Sequence, residues 1–226
     1  MNSRLRQFRR LAVFLLLCAL AAPAQDRHPI THRRYASVMG TAGADWLTRP
    51  EREAEEQPDR ALDLIGIAKG SVAADVGAGT GYITWRLAER VGPAGKVYAN
   101  DIQPEMLTKL RANMRERKLA NVETILGAVD DPKLPPNAID LIIMVDVYHE
   151  FSEPQHMLRG MRQALKPDGR LVLLEYRGED PEIPIRPEHK MTVAQVKAEL
   201  EPEGFRLDKL IDSLPRQHIL IFRKGR

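Results

Sequence analysis

With 226 residues, 43% of them hydrophobic and 29% charged, the chain can build one domain with a full core, and its composition excludes a disordered or fibrous protein. Four of its 34 basic side chains (Arg4, Arg6, Arg9 and Arg10) lie in an acid-free leader, leaving 30 against 31 acidic ones, so the formal charge of +3 is no nucleic-acid footprint. The single cysteine, Cys18, lies in that leader too, which excludes disulfides, thiolate metal sites and a cysteine nucleophile from the rest of the chain.

The leader has the layout of a secretory signal: a positive start, an apolar run over 11–22 and the small-residue pattern Ala22-Pro23-Ala24. Residues 1–24 are read as a signal peptide cleaved after Ala24, with export to the periplasm or beyond. The apolar run is shorter than the about 20 residues that span a bilayer. No stable membrane insertion is therefore expected after cleavage, the alternative being a tether through an uncleaved leader. Leu17 ahead of Cys18 disfavours lipid attachment, and Phe8 and Ala12 around Arg9-Arg10 make a poor twin-arginine signal.

Residues 25–60 form an N-terminal arm and a lid helix. The arm over 25–43 is polar and aperiodic, so His28 and His32 are expected in solvent. Thr48-Arg49-Pro50-Glu51 has the outline of a capping box, Pro58 restarts the helix, and Leu62, Leu64 and Ile65 supply its buried face, with Trp46 expected to pack on the core. From 71 onward strands and helices alternate, which predicts a parallel sheet covered on both faces. A strand over 72–76 ends near Asp75 and leads through Gly77-Ala78-Gly79-Thr80-Gly81 into a helix over 82–91. A second strand over 97–101 ends at Asp101, and Pro104 opens a helix to about Arg117. Strands follow over 122–126 and, continuously apolar as in a sheet centre, over 139–145. Ser152-Glu153-Pro154-Gln155 reads as another capping box, and Lys166-Pro167-Asp168-Gly169 as a turn into a strand over 170–176. Thr192 caps a last helix, and 205–211 with 218–222 close the chain as an antiparallel pair.

An acid before a GxGxG loop and a second acid closing the next strand resemble the class I S-adenosylmethionine-dependent methyltransferases. The phrase LKPDGRLVLLE before the fifth strand is a second, independent match. A dinucleotide fingerprint needs glycine or alanine where this chain has Tyr82. That weighs against the first alternative, an NAD(P)-dependent oxidoreductase; the second is a non-catalytic cofactor-binding module. The resemblance runs from about Ala61 to the C-terminus, making 61–226 the methyltransferase domain. It implies a Rossmann-like, doubly wound α/β sheet of seven strands, mostly parallel with an antiparallel C-terminal strand. It also implies S-adenosyl-L-methionine as cofactor and an unidentified small-molecule acceptor.

By the same resemblance Asp101 meets the ribose hydroxyls and Ile102 floors the adenine. Asp75, Gly77, Ala78, Gly79, Thr80 and Gly81 hold the loop and the amino-acid end. Relatives place an acid after the third strand where this chain has Ala128, so Asp130, or the Val129 amide, is the candidate for the adenine amino group. Asp146 is the candidate partner of the cofactor's ammonium. His149, whose unperturbed pKa lies near 6.5, is the candidate general base, and Tyr148 its orienter; the alternative is a structural His149. Tyr35, Met39 and Trp46 are candidates for the lid. No histidine–carboxylate spacing predicts a metal. The Asn-Pro-Pro-Tyr motif of amino-group methyltransferases is missing, which favours a small or lipid-like acceptor. Arg177, Glu179, Asp180, Arg216, Gln217 and His218 are expected to be solvated, and nothing in the sequence fixes an oligomeric state.

Overall fold

Runs that are apolar on every side must be covered on both faces, and they take the centre of the sheet in the computed structural model, which describes residues 26–225. β1 (Val72–Val76) and β4 (Ile139–Val145) lie side by side there. Outward from β1 come β2 (Lys96–Asp101) and β3 (Val122–Leu126); outward from β4 come β5 (Leu165–Arg177), β8 (Gln217–Lys224) and β7 (Phe205–Ile211). β8 runs antiparallel to both of its neighbours, and the other pairings are parallel. The expected architecture is present, with one addition: the two-residue β6 (Lys190–Met191) pairs with the end of β5 and brings the sheet to eight strands.

Helices cover both faces because each has one apolar stripe to bury. α5 (Pro154–Ala164) and α6 (Val193–Leu200) send Met157, Leu158, Met161, Val196 and Leu200 into one cluster with β4 and β5. On the other face α2 (Pro58–Ile65) and α3 (Thr84–Val91) bury Ala61, Leu62, Ile65, Leu87 and Val91 against the same strands. Leu64 is not part of that stripe and is 36% exposed. α4 (Pro104–Glu116) closes a third, smaller cluster through Leu110 and Met114. No helix among the described residues is long and apolar enough to cross a membrane. The signal peptide over 1–24 lies outside the described residues.

Local chemistry fixes where helices start. At α6 the capping box is complete, Thr192 accepting from the Gln195 amide while Gln195 accepts from the Thr192 amide. The other two expected boxes are not formed. Proline occupies the first turn of α5, so the cap falls on Glu153 rather than Ser152, and α1 (Glu51–Glu56) starts after Pro50 with no side-chain cap. Nor does Lys166-Pro167-Asp168-Gly169 separate helix from strand: β5 begins at Leu165, and these four residues are taken up as an irregularity between the Ile139↔Leu165 and Leu141↔Arg170 pairs.

The arm departs furthest from expectation. His32 is exposed, but His28 is fully buried and Arg33 nearly so. The Arg33 guanidinium donates to Glu199 Oε1 at 2.8 Å and to Oε2 at 3.0 Å, and its third nitrogen donates to the His149 carbonyl at 2.9 Å. His28 Nε2 stands 3.5 Å from the same Glu199 carboxylate, and the Ala36 amide adds a second donor, at 3.0 Å, to the His149 carbonyl. A carboxylate and guanidinium taken out of water hold together only when paired this completely. The arm is thus stapled to α6 and to the turn after β4.

Candidate functional site

Strand order reverses between β1 and β4, and a cleft must open beyond their carboxyl ends because the following connections leave in opposite directions. A cavity of about 580 Å³ lies there. Asp75, Gly77, Ala78, Gly79, Thr80, Asp101, Ile102, Asp146 and His149 line it, so most of the residues singled out from sequence meet in one place. Gly81, Asp130 and Tyr148 do not. Gly81 lies in the turn ahead of α3 with φ +91°, and a Cβ there would lie 2.9 Å from Leu110, so it lets this turn pack against α4. Asp130 is exposed to solvent, while Ala128 and Val129 take its place on the wall. Tyr148 is fully buried, edge-on to Phe151 and under the Arg33 guanidinium, which makes it a core side chain.

Gly77 carries the sharpest demand on the loop. Its φ is +76°, and a Cβ would fall 2.3 Å from Val147 Cγ2, so only glycine lets the loop pass beneath the turn after β4. Asp101 fastens the loop from the other side: Oδ2 accepts the Gly79 amide at 2.8 Å and Oδ1 the Gln103 amide at 2.9 Å. Each oxygen keeps a lone pair for a further donor. Burial raises the Asp101 pKa against those bonds. Asp75 accepts from Thr84 Oγ1 at 2.6 Å, and burial pushes it up to about 6.

Two polar atoms on the cavity wall are buried without any partner, Asp146 Oδ1 and Thr80 Oγ1. Asp146 is held in the left-handed region at φ +51°, its other oxygen accepting from Gln217 Nε2 at 2.7 Å. Its pKa stands well above the carboxylate range, through burial first and then the neighbouring Glu56 and Glu175 carboxylates. Arg52 gives little relief, since its Nε is committed to Glu56 at 2.7 Å and its nearest nitrogen is 3.9 Å from Asp146. Gln217 and His218, expected in solvent, are both buried. Unpaired buried acceptors of this kind demand a donor from a ligand. The ammonium of S-adenosylmethionine matches that demand, and the free lone pairs of Asp101 match its ribose hydroxyls.

Also on the cavity wall, His149 Nδ1 is 2.5 Å from Glu175 Oε2, and Nε2 is 3.1 Å from His189 Nδ1. Burial would lower the His149 pKa, but the Glu175 carboxylate outweighs it and holds it above the usual value. Both ring nitrogens of His149 are therefore engaged by the protein, so a direct general-base role for it alone does not follow from this geometry. Glu150 also lines the cavity, and burial pushes it up to about 7. Met39 bridges the mouth: its amide donates to Glu150 Oε1 at 3.3 Å, and its carbonyl accepts from Gln103 Nε2 at 3.0 Å. Trp46 also stands at the mouth, 52% exposed rather than packed in the core, with Arg49 stacked 3.8 Å from its ring centre. Tyr35 does not reach the cavity.

Sequence reasoning missed Arg52, Glu56, Glu150, Glu175 and His189. The i,i+4 spacing of Arg52 and Glu56 in α1 was a readable signal. Glu175 and His189 gave none, being 26 and 40 residues from His149.

The chain matches a family model described as a methyltransferase domain over residues 67–212. It is similar to the ubiquinone/menaquinone biosynthesis C-methyltransferase of Escherichia fergusonii, 33% identical over 116 residues, which cover 51% of this chain and 46% of that protein. It is 35% identical over 114 residues to the demethylmenaquinone methyltransferase of a Geobacillus species, covering 50% of this chain and 49% of that one. The chain thus spans about half the length of the curated relatives it matches. Among solved structures, a SAM-dependent methyltransferase from Aquifex aeolicus superposes with a TM-score of 0.77 at 28% identity, covering 82% of this chain and 98% of the other. With the sheet order, the glycine loop under Val147 and the acid at the end of β2 already in place, the chain belongs to the class I S-adenosylmethionine-dependent methyltransferase family.

Proposed function

We propose that the chain transfers a methyl group from S-adenosylmethionine to a small, largely apolar acceptor, and that residues 1–24 export it from the cytosol. The observation that carries the first part is the pair of unpartnered buried acceptors, Asp146 Oδ1 and Thr80 Oγ1, in a cavity whose loop is clamped by Asp101. The donor supplies an activated methyl on a cationic sulfur. Asp101 takes the ribose hydroxyls on its free lone pairs, and Asp146 and Thr80 take the ammonium end. Asp75 and Asp146, each buried and short of a close cation, create a field that favours a positively charged ligand. Methyl transfer asks little of side chains beyond alignment and exclusion of water. The enclosing wall of Met39, Trp46 and Ile185 supplies both, and it suits an acceptor with an apolar body. The names of the quinone-methylating relatives support an acceptor of that kind.

Full-length protein titrated with S-adenosylhomocysteine in a calorimeter tests the donor site, and lack of binding sinks it. Incubation with radiolabelled donor and an envelope extract tests the acceptor: label must appear in the organic phase, and label confined to the aqueous phase overturns an apolar acceptor. Fractionation of cells expressing the chain with and without residues 1–24 tests export, which fails if the mature protein is found only in the cytosol.

A further inference from the structure

His149, Glu150 and His189, all on the cavity wall, each offer one ligand atom, and the three atoms lie within 4.8 Å of one another. We propose that His149 Nε2, His189 Nδ1 and the Glu150 carboxylate bind one first-row divalent transition cation at the acceptor end of the cavity. The site is independent of the donor reading; only its assignment to the acceptor end rests on it.

The geometry fits an ion. Two imidazole nitrogens each about 2.1 Å from one metal stand roughly 3.0 Å apart at a right angle and about 3.4 Å apart at a tetrahedral angle. The observed separation of His149 Nε2 and His189 Nδ1 is 3.1 Å. Glu175 completes the arrangement from behind. Its contact with His149 Nδ1 at 2.5 Å assigns the proton to that nitrogen and leaves the lone pair on Nε2, the orientation that a carboxylate behind a metal-binding histidine imposes. Glu175 is itself fixed by the Tyr148 amide at 3.0 Å, and it is fully buried. The His149 backbone is pinned by Arg33 and Ala36 through its carbonyl, so the imidazole has little freedom to turn away. Glu150 makes no ion pair among the described residues and receives only the long Met39 bond.

Two imidazoles and one carboxylate select zinc, cobalt, nickel or iron(II) over magnesium and calcium, which prefer all-oxygen sets. Three protein ligands leave coordination positions facing the cavity, where an acceptor oxygen can bind. The two histidines then serve as ligands, which accounts for a His149 with no nitrogen free to act as a base.

Untagged full-length protein, stripped with EDTA and titrated with cobalt(II) chloride, is expected to develop visible d–d absorption that saturates at one equivalent. Zinc chloride is expected to raise its Tm. His189→Ala and Glu150→Gln, both at half-buried positions, are each expected to weaken cobalt binding by about tenfold or more while melting cooperatively. Absence of both the cobalt band and the zinc-dependent Tm shift, or undiminished binding by His189→Ala, overturns the site. S-adenosylhomocysteine titrated into the same metal-free sample separates the two readings. Retention without a cobalt band sinks the metal site alone; a cobalt band without retention sinks the donor reading and leaves the metal site standing.

Discussion

Asp101 accepts the Gly79 amide at 2.8 Å, so the acid that closes β2 already holds the glycine turn that closes β1. One carboxylate therefore shapes the loop and, on the function proposed above, meets the ligand. Asp101→Ala removes both functions. Two hydrogen bonds to a charged group, each contributing about 1.5–3 kcal/mol, predict a loss of S-adenosylhomocysteine affinity of about 100-fold or more. Isothermal titration measures it, and an unchanged affinity removes Asp101 from the donor site.

Asp75 makes the apo protein's stability depend on pH. Its folded pKa of about 6 lies above the ordinary 3.8, so the folded state holds the proton more tightly. Below the unfolded value both states are protonated and nothing is lost. As pH rises from about 4 to 6 the unfolded chain ionises first, and stability falls by up to about 3 kcal/mol. Asp75→Asn keeps an acceptor for Thr84 Oγ1 and removes the charge. Urea unfolding of the ligand-free proteins should show the variant gaining on wild type between pH 4 and pH 7; a difference that does not change with pH contradicts the assignment.

The arm's anchor is open to the same kind of test. Arg33→Ala leaves Glu199 buried without its guanidinium partner and is expected to cost about 3–5 kcal/mol. Combining it with Glu199→Gln should restore part of that loss, because the stranded charge is gone. Chemical denaturation of the three proteins reads the cycle, and strict additivity would mean that the pair is not coupled.

Only two tryptophans are present, and Trp46 is the one at the cavity mouth. Saturation with S-adenosylhomocysteine is expected to change its emission, and Trp46→Phe to abolish most of that change while affinity alters by less than about fivefold. Persistence of the full signal in the variant would assign it to Trp85 instead.

The glycine-loop wall of the cavity was legible because it is local. Strand, glycine turn and strand-end acid follow one another in sequence, and each residue type is dictated by a backbone need, such as the left-handed Gly77 beneath Val147. β4 was equally readable, its apolar run ending where the strand ends. Helix starts differ from expectation at Thr48 and Ser152 because Pro50 itself takes the cap position of α1, and Pro154 in the first turn of α5 puts the cap on Glu153. Around His149 only the histidine itself could be read, not its partners. His149 meets Glu175 and His189 only after β4, β5 and β6 are laid side by side, and Arg33 meets Glu199 across 166 residues. No periodicity encodes a contact made by the sheet itself. Polar residues in the arm looked solvated for the same reason, since the partner that makes the burial of Arg33 tolerable is remote in sequence; on β8, both ring nitrogens of the buried His218 have no partner at all among the described residues.

Met39 ties Gln103 on one rim to Glu150 on the other by its own main-chain atoms. Met39, Gln103, Glu150 and Trp46 all line the cavity, so both bonds join residues of its wall. An occupant whose exchange displaces Met39 breaks both bonds at once. Turnover should then be paced by escape of the spent nucleoside, with a burst of methylated product in the first cycle and a steady rate that is indifferent to the reactivity of the molecule being methylated.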